Sequence, residues 1–229
     1  MRFLILFFIH FTSIQLFSQN FEAEMKAIFD KMDTVDNISI VVDVKLYDKK
    51  GGKLIYTNES SVLHSKKATI TQLGDMEMYK SASYDIQIDH EEKRLLIKKI
   101  TSKEENFSDV NVKEIKKLLK LEGVEKSKNP TYKLINNNNG IKTYSMSKTA
   151  ELVECYITID TKNEKIQTIT YQYTDAGDFD GQYCILDYKT FAYNSTFQKT
   201  QFDLSRYFTL VGGNYKLSTR LSSYKLYTE

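Results

Sequence analysis

Hydrophobic and polar residues alternate with two different periods along the chain, and the change of period separates helix from strand. Between residues 21 and 32 the apolar positions recur every three or four residues, which predicts an amphipathic helix. Asn20 is placed to cap this helix, and Glu22 and Glu24 in its first turn suit the positive end of the helix dipole. The apolar stripe of the helix consists of Phe21, Met25, Ile28, Phe29 and Met32.

From residue 37 the period is two, which predicts strands with one buried face. The inward set of the first strand, Asn37–Tyr47, is Ile38, Ile40, Val42, Val44 and Leu46. Short turns such as Asp48–Gly52 and Asp89–Lys93 join successive strands, as expected for antiparallel neighbours. The pattern predicts about eleven strands, the last of them over residues 214–227.

A second amphipathic helix is predicted between two groups of strands. Asn111 and Glu114 have the spacing of a capping box, and Gly123 lies where a C-terminal cap is expected. Its apolar stripe is Val112, Ile115, Leu118 and Leu119. Strands in hairpin order with two short helices predict an α+β fold, mainly β, whose antiparallel sheet is strongly curled or closed.

The first eighteen residues have the three-part pattern of a secretory signal peptide. Arg2 gives a positive start, Phe3–Phe11 is apolar except for His10, and Ser18 is a small residue at the expected cut. The alternative is an uncleaved membrane anchor, but a span takes about 20 apolar residues and this run has about half that number. We therefore expect cleavage near Ser18, followed by a single domain over residues 19–229.

Charge and composition narrow the classes of function. The net charge is +2, and lysine and glutamate are interspersed along the chain. The sequence has no basic stripe, so nothing in its charge pattern indicates a nucleic-acid partner or binding to anionic lipid. One proline and nine glycines leave no room for a flexible linker.

The two cysteines raise the question of a disulfide, which an exported protein can form. Cys155 and Cys184 lie among the apolar residues of two predicted strands, and a third strand, residues 165–173, lies between them in sequence. If the three strands form a meander, the cysteines are roughly 9.6 Å apart. A disulfide needs Cα atoms within about 7 Å. The spacing favours two buried free thiols over a disulfide.

Three stretches of the chain carry a resemblance to a known family. Met25–Asp43 is an opening helix that runs straight into a strand, Tyr84–Ile97 is a tight hairpin, and Val153–Ile169 is a further stretch of alternation with a turn. Their succession resembles the LolA and LolB type of outer-membrane lipoprotein carrier. The resemblance implies an unclosed antiparallel half-barrel wrapped around helices, in a protein of the periplasm. The arginine that latches the cavity lid in the best-known members has no counterpart in residues 38–47, and the chain has no tryptophan. The resemblance implies the fold more directly than it implies lipoprotein carriage, because one fold hosts many functions.

No group of residues indicates catalysis or a metal site. His90 lies among carboxylates in the turn Asp89–Glu92, but no second histidine follows at a zinc-binding spacing, so we predict a solvated turn. His64 has serines nearby, yet the chain lacks the strained elbow and orienting acid of a nucleophile pair.

Two glycine- or aspartate-rich segments predict loops. Gly212–Gly213 indicates a hairpin turn, because a strand follows and not a phosphate-binding helix. Asp175, Asp178 and Asp180 lie close together, but the spacing of a twelve-residue calcium loop is missing, so an acidic hairpin loop is favoured. Sixteen tyrosines, concentrated in the last third, indicate either strand propensity or a binding face.

Together these patterns predict a non-catalytic periplasmic protein that carries or chaperones hydrophobic cargo, namely a lipid, a lipoprotein or an outer-membrane protein. No cofactor or metal is expected, and transient contact with membrane-bound partners fits this role. A second hypothesis is a structural or regulatory subunit of a cell-envelope assembly that has a filled core and binds a protein partner through its C-terminal strands. The residues expected to line an apolar cleft are Ile40, Val42, Val44, Ile86, Ile88, Ile157, Ile159 and Leu186.

Overall fold

The computed structural model of the protein describes residues 21–101, 131–147, 152–174, 181–198 and 200–229. The predicted signal peptide, the second predicted helix and the acidic loop around Asp178 lie outside these residues. The described residues contain one α-helix, α1 (21–34), fourteen strands and two short 3-10 turns. The strands are β1 (Asn37–Tyr47), β2 (Leu54–Ser65), β3 (Ala68–Leu73), β4 (Met76–Ser81), β5 (Tyr84–Asp89), β6 (Arg94–Lys99), β7 (Tyr132–Asn138), β8 (Ile141–Met146), β9 (Leu152–Asp160), β10 (Lys165–Tyr173), β11 (Tyr183–Tyr193), β12 (Phe208–Val211), β13 (Asn214–Leu217) and β14 (Lys225–Thr228).

The fold is mainly β and is dominated by one long sheet. Twelve strands form this sheet in the order β14-β6-β5-β4-β3-β2-β1-β11-β10-β9-β8-β7, and β12 and β13 form a separate hairpin. The first and last strands of the order do not pair with each other, so the sheet is open. Hairpin connections make neighbouring strands antiparallel, as predicted, whereas β14 runs parallel to β6.

The predicted number of about eleven strands is wrong in the C-terminal region of the described chain. Residues 214–227, predicted as one strand, form β13, a 3-10 turn at Thr219–Leu221 and then β14. Residues 208–211 form β12, which the alternation did not predict because four residues are too few to show a period. The predicted turn at Gly212–Gly213 is confirmed: φ is +59° and +83° at these glycines, which lets β12 and β13 pair across a two-residue loop.

The helix predicted near the start of the described chain is confirmed. Phe21, Met25, Ile28 and Met32 are buried, whereas Phe29 is only half-buried. Glu22, Lys26 and Asp30 on the other side of the helix are exposed to water, as the spacing of three and four residues requires. Lys26 and Asp30, one turn apart on the exposed side, form an ion pair.

The chain folds into two compact units. Among the described residues, unit 1 contains 21–34, 42–58, 131–147, 152–174 and 181–191. Unit 2 contains 35–41, 59–101, 192–198 and 200–229. Each unit has its own buried apolar residues and is described separately below. The single domain predicted for residues 19–229 stays a prediction.

Candidate functional site

The eight residues predicted to line a cleft are divided between the two units. Ile40, Ile86 and Ile88 belong to unit 2, and the other five belong to unit 1. Five are buried to 4% exposure or less: Ile40, Ile86, Ile88, Ile157 and Ile159. The remaining three, Val42, Val44 and Leu186, are half-buried and all lie in unit 1. Of the eight predicted residues, these three keep the most solvent-exposed surface.

In unit 2 the inward face of the sheet is covered by the chain's own C-terminal segment. Ile86, Ile88, Leu95 and Ile97 of β5 and β6 have no exposed surface. They belong to one hydrophobic cluster that also contains Tyr207, Phe208 and Leu221, with Phe202, Leu204, Tyr215, Leu217, Tyr224 and Leu226 packed against it. The ring of Phe208 lies 5.2 Å from that of Tyr84 and 4.8 Å from that of Tyr215. Unit 2 therefore has a filled core.

A buried carboxylate fastens this C-terminal segment to β4. Glu77 points inward, and its side chain is 6% exposed. The hydroxyl of Tyr207 donates a hydrogen bond to Glu77 Oε1 at 2.8 Å, and the guanidinium of Arg220 donates to both carboxylate oxygens at 3.2 and 3.3 Å. The same guanidinium lies 5.2 Å from the ring centroid of Tyr207.

His90 completes this group of side chains. Its Nε2 lies 3.3 Å from Glu77 Oε2, and its Nδ1 lies 2.8 Å from the hydroxyl of Tyr224. The predicted solvated turn is therefore wrong for His90. Tertiary packing brings Glu77 and Tyr224 against it, which lie 13 and 134 residues away in sequence. No local sequence pattern predicts these partners.

The Glu77 group has a structural role. Burial alone would raise the pKa of Glu77, but the hydrogen bonds from Arg220 and Tyr207 and the charges of Arg220 and Arg206 outweigh it, so the pKa is lowered. The carboxylate stays ionised at neutral pH, with its oxygens occupied by donors. Burial and the nearby carboxylate raise the pKa of Tyr207, which keeps its hydroxyl protonated. The sequence signal that was missed is a glutamate at an inward position, with Tyr79 and Ser81 on the same side.

In unit 1, α1 is fixed against β7 and β8 by its first turn. The ring of Phe21 stacks on Tyr132 with centroids 3.9 Å apart and lies edge-on to Tyr144 at 5.0 Å. The hydroxyl of Tyr144 donates a hydrogen bond of 2.7 Å to Glu24, which also pairs with Lys142. Burial and this carboxylate raise the pKa of Tyr144.

The two cysteines lie on the inward face of unit 1. In the antiparallel register Tyr171 of β10 is opposite Cys155 of β9 on one side and Cys184 of β11 on the other. Both cysteines are buried and free, which confirms the predicted meander and the predicted thiols. Burial raises the pKa of Cys155 to about 12, so the thiol is unreactive at neutral pH.

The inward face of unit 1 continues from this row into a partly exposed region. Lys189 pairs with Asp43 of β1 and Asp187 of β11, which places these three charges on the outward face. Alternation then places Val42 and Val44 of β1 on the opposite, inward face, together with Leu186 of β11. We call these three residues the open face. Unlike Ile157 and Ile159 farther along the sheet, they are only half-buried.

An outward groove of about 520 Å³ lies in unit 2, beside the edge strand β14. It is lined by Met76, Gln87, Asp89, Arg94, Leu96, Tyr227, Thr228 and Glu229. The groove is shallow and mixes exposed apolar groups with charges of both signs. It contains no buried titratable pair of the kind that acid–base catalysis uses.

The other candidate residues have structural partners. His64 is buried, and its Nδ1 lies 2.8 Å from the hydroxyl of Thr69, directly across the β2–β3 hairpin. Burial lowers the pKa of His64 and keeps its ring neutral. Within the described parts of the chain, no three histidine, cysteine, aspartate or glutamate side chains are grouped to hold a metal ion. The helical segment among these residues is too short and too polar to cross a membrane.

No family model and no curated protein matches the chain. Solved structures similar to it include an uncharacterised conserved protein from Thermus thermophilus, with 6% identity, a TM-score of 0.46, and 89% of this chain and 98% of that chain covered. A DUF1329 family protein from Desulfovibrio piger has 12% identity and a TM-score of 0.33, with 80% and 97% covered. A LolA superfamily protein from Nitrosomonas europaea has 7% identity and a TM-score of 0.30, with 77% and 96% covered.

The predicted resemblance to LolA-type proteins therefore recurs among solved structures. Each of these TM-scores is below 0.5.

Proposed function

We propose that the protein is a non-catalytic binding protein of the periplasm that carries a hydrophobic cargo on the open face of unit 1. The observation that supports this is the partial exposure of Val42, Val44 and Leu186 at inward positions. Inward apolar residues are ordinarily covered, as their counterparts Ile86 and Ile88 are in unit 2. An acyl chain, or the lipid part of a lipoprotein, would cover them.

The expected affinity follows from the area buried. At about 25 cal/mol per Å² of apolar surface, covering roughly 200 Å² contributes about 5 kcal/mol before the costs of association. Association itself costs at least about 4 kcal/mol, so little of this gain remains and the cargo is held weakly and reversibly. A carrier needs weak binding, because it must release what it binds.

Two further expectations from the sequence belong to this proposal. The signal peptide is cleaved near Ser18. The protein then acts in the periplasm, where it meets membrane-bound partners only transiently. Fractionation of cells tests the location, and recovery of the processed chain in the cytosol would contradict it.

Titration of the full chain with a fluorescent fatty-acid analogue tests cargo binding. Saturable binding is expected for the wild type. Val44→Asp and Leu186→Asp place a charge on the open face, and each should weaken binding about tenfold or more, which corresponds to about 1.4 kcal/mol. Lys45→Asp is the matched control, because residue 45 neighbours Val44 on β1 but points outward.

The result is interpretable only if the variants fold, so circular dichroism and urea unfolding accompany each titration. Two outcomes contradict the proposal. One is a wild-type protein that takes up no probe. The other is a Lys45→Asp variant that loses as much binding as the folded Val44→Asp variant.

The alternative function, a subunit of an envelope assembly, is favoured by the filled core of unit 2. Deleting residues 214–229 does not test it, because Tyr215, Leu217 and Leu221 pack in that core and their loss would unfold the unit. Leu210→Asp and Val211→Asp are better variants, since both side chains are more than half exposed on the tip of the β12–β13 hairpin. A stoichiometric partner that is recovered with the wild type and lost with these variants would support the alternative.

A further inference from the structure

Strand β2 extends beyond its neighbour β3. Of the twelve residues Leu54–Ser65, only Ser60–His64 pair with β3, whose last residue, Leu73, is opposite Ser60. In the described part of the chain, the order of the sheet places no other strand on that side of β2. Among the described residues, the backbone of 54–59 therefore has no pairing partner on this edge.

The side chains along this edge are unusual for an unpaired strand. Leu54, Ile55 and Tyr56 are consecutive, and they are 43%, 53% and 50% exposed. Proteins normally protect edges with charges, proline or bulges, because a bare apolar edge pairs with other chains. Here no charged residue lies between Lys53 and Glu59.

We propose that residues 54–58 of β2 pair antiparallel with the same residues of a second copy of this chain, about a two-fold axis at Tyr56. In this register Tyr56 is opposite Tyr56 of the second copy, and Ile55 is opposite Thr57. Aromatic pairs and β-branched pairs are favourable across antiparallel strands. The same register places Lys53 of each copy opposite Glu59 of the other. Residues 53–59 are thus self-complementary, both in the side chains that pair and in the charges at the two ends.

The space available also selects this register. An added strand occupies the position that β3 takes up from Ser60 onward, so it must turn away after about six residues. The incoming copy does so, because its β2 begins at Leu54 and is preceded by the turn at Gly51–Gly52. Gly51 has a φ of +73°, which suits the left-handed conformation of this tight turn.

The dimer is expected to be weak and concentration-dependent. Pairing of so short a strand buries less than the roughly 1,200 Å² found in stable complexes. This surface is independent of the cargo proposal, because it uses the edge of β2 and not the open face.

Sedimentation equilibrium of the full chain over a range of concentrations tests the pairing. Reversing one charge, by Lys53→Glu or Glu59→Lys, puts like charges opposite each other twice per dimer and should weaken association about tenfold. The double variant K53E/E59K restores opposite charges and should recover the wild-type dissociation constant. A wild type that stays monomeric throughout, or a double variant as weak as the single variants, would overturn the proposal.

Cross-linking gives a second, independent measurement. Tyr56→Cys places two thiols opposite each other at the two-fold axis, where Cβ atoms are about 5 Å apart. Oxidation with copper-phenanthroline should give a disulfide-linked dimer, while the native cysteines are buried and stay reduced. Ser83→Cys, in the exposed turn between β4 and β5, is the control. Equal cross-linking of the two variants would count against the register.

Discussion

The two units carry the same alternation of inward apolar residues and cover it to different extents. In unit 2, four inward residues of β5 and β6 have no exposed surface, because the C-terminal segment packs over them. In unit 1, α1 covers part of the inward face through Phe21, while Val42, Val44 and Leu186 keep exposed surface. Identical patterns thus lead to a filled core in one unit and an open face in the other.

Under the proposed function, this difference assigns binding to unit 1 and stability to unit 2. A fully covered face contributes to stability and leaves nothing for a ligand to bury. An open face lacks that stabilisation and retains surface for cargo. Mutations should therefore affect stability in unit 2 and binding in unit 1.

The largest effect is expected where the C-terminal segment fills unit 2. Phe208→Ala removes a buried ring that contacts Tyr84 and Tyr215, and it should lower the free energy of unfolding by about 3–5 kcal/mol. Leu210→Ala, on the same hairpin but 54% exposed, should cost about 0.5 kcal/mol or less. Urea denaturation measures both. Equal losses would mean that the segment does not cover the sheet.

One substitution made in both units tests the comparison directly. Leu95→Ala in unit 2 creates a cavity at a side chain with no exposed surface and should cost about 2–5 kcal/mol. Leu186→Ala in unit 1 removes a partly exposed side chain and should cost about 1 kcal/mol. Fatty-acid probe binding should show the reverse order. If Leu186→Ala proves as destabilising as Leu95→Ala, the open face is in fact closed.

The Glu77 group should have an intermediate effect. Glu77→Gln keeps the shape of the side chain but removes the charge that Arg220 and Tyr207 bond, at a cost of about 2 kcal/mol. Glu92→Gln is the control, since Glu92 pairs with Arg94 on the surface and should contribute less than about 0.5 kcal/mol.

The same group predicts a dependence on pH. The pKa of Glu77 is lower in the folded protein than in the unfolded chain, so its contribution is present above the ordinary carboxyl pKa of 4.5 and is lost as pH falls through the lowered value. The Glu77→Gln variant should therefore lose less stability than the wild type as the pH falls below 4.5. If the free energy of unfolding decreases equally with pH in the two proteins, this prediction is wrong.

The smallest change is expected at the thiols of unit 1, which affect reactivity and not stability. With the pKa of Cys155 raised to about 12, its thiolate fraction at pH 8 is on the order of 10⁻⁴. An aromatic disulfide reagent should titrate neither cysteine within minutes in the native protein and both after urea unfolding. Rapid native labelling would show that this part of the sheet opens.

Several features of the fold were predictable because they depend on neighbours in sequence. The stripe of α1 and the inward residues of β1, β5 and β9 follow from periods of 3.6 and 2, which backbone geometry fixes locally. The free cysteines followed from strand spacing. The turn at Gly212–Gly213 followed from glycine's access to positive φ.

The candidate site was only partly predictable. The alternation identified Val42, Val44 and Leu186 as inward, but it identified Ile86 and Ile88 in the same way, and nothing in the pattern distinguishes open from covered positions. The partners of His90 and Glu77 were likewise missed. Tyr207 and Arg220 lie 130 and 143 residues from Glu77, too far for any local spacing to link them.

The sequence by itself determined the elements of the described chain and the side of each strand that is apolar, because periodicity acts over a few residues. Only the tertiary structure decided which part of that apolar surface is covered. Coverage is set by segments distant in sequence, such as the C-terminal residues 202–226 that pack over β5 and β6. Burial depends on what the whole chain brings to a surface, and that is a property of the packed fold.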